Sequence, residues 1–256
     1  MAEDDSDETY RDERARFYDA TLPDADRPDV GFYVDLARET DQPVLEATCG
    51  TGRIYLDLLA AGVDADGFDR SRDALAVLRE TAAKRDLEPS VWQADLASFE
   101  TERRYGLVTC PFNAIQNLTA VDAQLSALRS VHDALVPGGR FVFDVFVPNF
   151  DIICEDYGQW QSKDIDYRGE THQLRSRTLI ADEVEQLFTV ETELYDADGS
   201  LVFTEEEHLA MLPKRQLELL ARLSPFESFS ATGDFTDEPL SDGHSIQVWS
   251  LRKGDE

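Results

Sequence analysis

Apolar positions along the chain change their spacing several times. In residues 10–20 and again in 29–38 they recur at helical intervals, which predicts two helices ahead of the first strand. From there short apolar runs alternate with helical stretches. Residues 44–47 read as a strand, 53–61 as a helix, 65–69 as a strand, and 72–84 as a helix opened by Ser71 as its N-cap. Residues 90–93 and 106–110 read as the third and fourth strands, 121–135 as a helix and 140–147 as the fifth strand. Alternation at this pitch predicts a doubly wound α/β fold, a parallel sheet with helices on both faces.

The pattern breaks from about residue 156 to 212. Two-residue alternation there, in 174–180, 185–195 and 201–203 onward, predicts an antiparallel insertion, with Asp198-Gly199 as the turn between its last two strands. Helical spacing returns at 214–223. Residues 226–232 and 245–251 then read as closing strands around a turn-rich connection. That brings the main sheet to seven strands and makes the last two antiparallel neighbours, which a plain NAD-binding fold does not need. The expected division is a disordered acidic tail at 1–8, a binding domain from 9–150 and 213–256, and the β insertion at 151–212.

Composition narrows the partners. A 256-residue chain that is 42% hydrophobic can bury one full α/β core. No apolar run is long enough to span a membrane, and the acidic N-terminus is unlike a signal peptide, so the expected location is the cytoplasm. The formal net charge is −29, and lysine is confined to Lys84, Lys163, Lys214 and Lys253. Acids spread along the whole chain resemble the surfaces of proteins from salt-loving microbes, because salt near 1 M shortens the Debye length to roughly 3 Å. Without a basic stripe, nucleic acid is not an expected partner. The three cysteines, Cys49, Cys110 and Cys154, are widely spaced and read as reduced packing residues. No metal site is expected.

In a doubly wound sheet ligands sit beyond the carboxyl ends of the strands. The first strand ends in Glu46-Ala47-Thr48-Cys49-Gly50-Thr51-Gly52-Arg53, an acid running into a Gly-x-Gly turn and a helix. Glycines there let the backbone approach a ligand, and the helix start offers unpaired N–H groups. Taken alone, this turn fits dinucleotide, S-adenosylmethionine and phosphate binders. The second strand ends in Gly67-Phe68-Asp69-Arg70-Ser71, where a carboxylate can accept hydrogen bonds from ribose hydroxyls. The third ends in Gln93-Ala94-Asp95-Leu96, the fourth in Cys110-Pro111-Phe112-Asn113, and Val136-Pro137-Gly138-Gly139 precedes the fifth.

Together, in this order and spacing, these segments resemble the class I S-adenosylmethionine-dependent methyltransferases from residue 44 to 147. The resemblance implies a seven-stranded Rossmann-like methyltransferase fold, S-adenosylmethionine as cofactor and S-adenosylhomocysteine as product. It places Glu46 and the Gly50–Gly52 backbone, with Thr48 and Arg53 of the same turn, on the methionine moiety. Asp69, with Arg70 beside it, falls on the ribose, Asp95 and the Leu96 amide on the adenine, and Cys110 to Asn113 at the sulfonium and substrate mouth. Tyr18, in Phe17-Tyr18-Asp19, resembles a tyrosine that closes over the cofactor; the other reading is an aromatic on a packed helix face. Thr48 stands where many members carry a third glycine, a demanding place for a β-branched side chain.

The insertion resembles the inserted sheet of small-molecule N-methyltransferases, including those acting on amino sugars and glycine, where it roofs the substrate or forms a dimer contact. The implied partner is a small-molecule methyl acceptor, nitrogen before oxygen, and the implied assembly a monomer or a homodimer through the insertion. Displacement at a sulfonium needs alignment more than a base. For an amine that binds protonated a nearby acceptor would help, and the candidates by position are Asn113, Gln116, Tyr157, His172, Glu206 and His208, with Tyr18 as a further candidate. Surface or pairing roles compete for His172 and His208. The alternatives to an active methyltransferase are a module that binds S-adenosylmethionine without turnover and an NAD-type Rossmann protein.

Overall fold

The computed structural model describes residues 14–17, 20 and 28–255. The described residues divide into two compact units, 28–147 with 212–255, and 148–211 with the described N-terminal residues.

The larger unit opens with helix α1 (Asp29–Arg38) and alternates as far as its third strand, β1 (Val44–Ala47), α2 (Tyr55–Ala60), β2 (Ala65–Asp69), α3 (Arg72–Lys84) and β3 (Ser90–Gln93), after which β4 (Tyr105–Cys110) follows with no helix between. A 3-10 turn (Ala114–Asn117), α4 (Val121–Ala134) and β5 (Leu135–Phe146) follow. After the other unit, the chain returns through α6 (Lys214–Leu223), β10 (Ser228–Gly233) and β11 (Ile246–Arg252), α5 being the short helix Phe150–Glu155 of the second unit. These strands form one seven-stranded sheet in the order β10-β11-β5-β4-β1-β2-β3. The pairings β1–β2, β1–β4, β2–β3 and β4–β5 are parallel, while β11 runs antiparallel to both β5 and β10.

All four residues of β1 are buried, as a central parallel strand covered on both faces requires. One core cluster joins Tyr33, Leu36, Val44, Tyr55, Leu58, Leu75, Leu78, Leu107, Val142 and Val248. Ser71 caps α3 as expected, its hydroxyl oxygen accepting the Ala74 N–H at 3.1 Å. Several expected boundaries move. The helix after the glycine turn starts at Tyr55 rather than 53, and β5 starts at Leu135, directly from α4, with a register irregularity opposite Tyr105 and Leu107.

The smaller unit is a four-stranded antiparallel sheet, β6 (Gln161–Tyr167), β7 (Glu170–Asp182), β8 (Leu187–Tyr195) and β9 (Leu201–Ala210), in that spatial order. The β8–β9 connection turns at Asp196 to Ser200, with Gly199 at φ +79°. Residues 14–17 are helical, and Phe17 packs edge-on against Tyr167 and Phe203 over a small core completed by Leu194. Strand β6 and helix α5 carry no apolar period that a sequence reading detects; α5 buries none of its residues. No helix among the described residues is long and apolar enough to cross a membrane.

Candidate functional site

Strand order reverses between β1 and β4, so their carboxyl ends open the crevice where doubly wound sheets bind ligands. The chain leaves β1 through Thr48 at φ +59°, Gly50 at +54° and Gly52 at +93°. The two glycines serve different ends. A Cβ on Gly52 would stand 2.8 Å from Leu78 Cγ and 2.9 Å from Leu56 Cγ, so Gly52 lets α3 and α2 close on the turn. A Cβ on Gly50 would meet nothing within 4 Å, leaving room for a ligand against the backbone. The Gly50 N–H donates to Asp69 Oδ2 at 2.9 Å and the Ser71 N–H to Asp69 Oδ1 at 2.8 Å, which fixes the carboxylate at the end of β2.

Behind the turn lies a buried charge cluster. Arg53 donates to both oxygens of Asp29, Nη1 to Oδ1 at 3.0 Å and Nη2 to Oδ2 at 2.6 Å, and its guanidinium lies 5.0 Å from the centroid of the Phe112 ring. Burial works against the Arg53 charge, and Asp29, Glu46 and Asp144 outweigh it. Asp29 is fully buried and Glu46 is 3% exposed. Burial pushes the Glu46 carboxyl up to about 8; Arg53 opposes the rise, while Asp69, Asp29 and Asp57 add to it. Glu46 Oε2 is buried without a hydrogen-bond partner among the described residues.

At the end of β4, Cys110 is fully buried and shares a 3.5 Å contact with the Thr48 hydroxyl, which also donates to the Ala47 carbonyl. Burial raises the Cys110 thiol to about 12 against the pull of Thr48, and burial likewise raises Cys49, so both are packing thiols. The chain then passes through two consecutive left-handed residues, Phe112 at φ +61° and Asn113 at +60°. Asp144 of β5 anchors this corner. Its Oδ1 accepts the Phe112 N–H at 2.9 Å and the hydroxyl of Tyr33, from α1, at 2.7 Å. Burial, then Asp144, holds the Tyr33 hydroxyl well above its usual range.

Of the residues expected to form the site, Glu46, Thr48, Gly50, Gly52, Arg53, Asp69, Cys110 and Asn113 lie at the linked ends of β1, β2 and β4. Asp95 and Leu96 stand beyond β3. The exposed Asp95 carboxylate caps its own turn through the Ala97 N–H at 2.8 Å, and Leu96 is buried. The Arg70 side chain is exposed, and its carbonyl accepts from Gln93 Nε2 at 2.9 Å. Gln116 is buried in the 3-10 turn just past Asn113.

The remaining candidates belong to the smaller unit. His172 is buried edge-on to Tyr167 with Nδ1 3.1 Å from the Glu170 carbonyl, and half-buried Tyr157 follows α5. His208 is 61% exposed and engages Thr189 and Glu206. Tyr18 lies outside the described residues. No group of His, Cys, Asp and Glu among the described residues is arranged to hold a metal ion.

Asp29, Tyr33 and Asp144 escaped the sequence reading. Asp144 did leave a signal, an acid in the middle of the apolar run Phe141-Val142-Phe143-Asp144-Val145-Phe146, where an unpartnered carboxylate is costly.

Residues 44–139, from the start of β1 into β5, match the family described as a methyltransferase domain. No curated protein matches the chain. Among solved structures, the CcbJ methyltransferase from Streptomyces caelestis is 24% identical, with a TM-score of 0.79 over 96% of this chain and 98% of that one. CalS10 from Micromonospora echinaspora, described as an amino pentose methyltransferase with S-adenosylmethionine bound, is 20% identical, with a TM-score of 0.66 over 99% and 98%. The sugar N-methyltransferase KedS8 from a Streptoalloteichus species is 20% identical, with a TM-score of 0.69 over 99% and 94%. The fold is thus that of the S-adenosylmethionine-dependent methyltransferases, a seven-stranded, mostly parallel sheet accompanied by an antiparallel insertion.

Proposed function

We propose that the protein is an S-adenosylmethionine-dependent methyltransferase acting on an amine nitrogen of a small-molecule acceptor. The observation that carries this reading is the bonded unit at the crevice, in which the open Gly50 turn and Asp69 are joined by one hydrogen bond beside the Glu46 carboxyl. The family match over 44–139 and the sheet with antiparallel β11 support it over an NAD-type protein. The amino-sugar and sugar N-methyltransferases among the structural neighbours support an amine acceptor.

The residues present fit the cofactor. Gly50 leaves space that a Cβ would fill, and Glu46 offers a buried oxygen that lacks a partner among the described residues. When bound, S-adenosylmethionine supplies a methyl group on a positively charged sulfur, already activated for displacement. Glu46 would receive the ammonium of the methionine part, and Asp69, fixed by two backbone N–H groups, would accept the ribose hydroxyls. The Cys110 to Asn113 corner would border the acceptor. Alignment of this kind contributes about 7–11 kcal/mol in favourable cases, so a neutral amine requires no further base.

Calorimetry near 1 M salt, where the −29 charge is screened, tests the reading. S-adenosylmethionine should bind and NAD should not; binding of neither sinks the proposal. Asp69→Ala should abolish affinity, and unchanged affinity would refute the ribose assignment.

A further inference from the structure

The Phe112–Asn113 corner is expensive to make and carefully held. Two successive non-glycine residues with positive φ are rare, and they persist only where their surroundings over-determine them. Three separate elements supply that determination. Asp144 on β5 takes the Phe112 N–H, Tyr33 on α1 donates to the same Asp144 oxygen, and Arg53 from the glycine turn lies over the Phe112 ring. Asp144 and Tyr33 are both fully buried. The corner ends on an unanswered group, since Asn113 Oδ1 is buried with no hydrogen-bond partner among the described residues. A buried carbonyl oxygen in that position calls for a donor.

We propose that Asp144 and Tyr33 are positioning residues that hold the Phe112–Asn113 corner so that Asn113 Oδ1 accepts an N–H from an amine at the methyl-transfer position. The inference rests on the methyltransferase reading and deepens it. The corner would select acceptors that bring an N–H, and Asn113 would be the residue that reads it. An oxygen acceptor with a single O–H could satisfy the same atom only by directing its one proton there.

Sinefungin probes this without knowledge of the natural acceptor, because it carries an amine where S-adenosylmethionine carries its methylated sulfur. S-adenosylhomocysteine lacks that group and serves as the reference. The wild type should bind sinefungin several-fold more tightly than S-adenosylhomocysteine. Asn113→Ala and Asp144→Ala should each lower that ratio roughly tenfold, as expected for a lost bond to a charged donor, with S-adenosylhomocysteine affinity nearly unchanged.

Asp144→Asn keeps an oxygen for both donors and should restore the ratio, which a merely structural role does not predict. Tyr33→Phe, which removes only the hydroxyl, should give an intermediate ratio and keeps the test open should Asp144→Ala fail to fold. A ratio unmoved in the folded variants, or a wild type indifferent to the amine, overturns the proposal. Absence of binding to both compounds by the wild type overturns the methyltransferase reading instead.

Discussion

Gly50 donates its backbone N–H to Asp69 Oδ2 across 2.9 Å, and the other oxygen of the same carboxylate takes the Ser71 N–H that opens α3. One acid therefore ties the turn after β1 to the start of the second crossover helix. Asp69→Asn keeps the shape but replaces one acceptor by an amide NH2 that faces a backbone donor. The expected result is a loss of about 1–2 kcal/mol in stability together with at least tenfold weaker S-adenosylmethionine binding, measured by denaturant melts and calorimetry. A variant as stable as the wild type would show that the two backbone bonds contribute nothing.

The two glycines should separate binding from folding. Gly52→Ala drives a Cβ to within 3 Å of Leu78 and Leu56 at a φ that L-residues avoid, and is expected to lower stability by more than about 2 kcal/mol. Gly50→Ala meets no neighbour and bears only the left-handed penalty of about 1 kcal/mol, yet it occupies ligand space. Thermal shift and ligand affinity measured on both should therefore rank the variants in opposite orders.

Arg53 and Asp29 form a buried pair, with side-chain exposures of 14% and 0%. Removing Arg53 takes two charge-assisted hydrogen bonds from the buried Asp29 carboxylate. Arg53→Met is expected to cost about 3–5 kcal/mol, and the double variant Arg53→Met, Asp29→Asn to recover much of it. Additive losses in a double-mutant cycle would mean that the pair is not coupled.

Glu46 makes stability depend on pH in a defined direction. Its folded value of about 8 lies above the ordinary 4.5, so between those values the native state binds more protons than the unfolded chain. The stabilisation associated with its bound proton is full below about 4.5 and is lost as pH rises through about 8. Glu46→Gln lacks this titration. Its stability relative to the wild type should climb from pH 5 to pH 8, by at most about 1.4 kcal/mol per unit. Urea midpoints for both proteins at several pH values check this, and parallel curves would contradict it.

The elements that were legible in the sequence are those whose environment is local or uniform. β1, β2 and β3 sit in a sheet bounded by turns, and α1 and α6 carry an apolar stripe on one side, so their limits follow from spacing alone. Strand β6 was hidden because Gln161-Ser162-Lys163-Asp164 is exposed and polar, its existence decided by pairing with β7. The site divides the same way. Gly50, Gly52 and Asp69 follow from what one turn demands of its backbone. Asp29, Tyr33 and Asp144 gain their meaning from partners 24, 111 and 32 positions away, and no local pattern carries such distances.

Strand β11 is drawn from a hundred residues beyond its neighbour, with Ile246 opposite Phe146, yet it fills an interior slot between β5 and β10. During synthesis, β5 must therefore wait with Phe141, Phe143 and Val145 beside a bare hydrogen-bonding edge. Such an edge recruits strands from other chains as readily as its own, and long-range closure is slow. The late completion of this sheet thus leaves an edge open to pairing with other chains. Conditions that delay the docking of residues 246–252 should lower the yield of folded protein before they affect the melting temperature of what has folded.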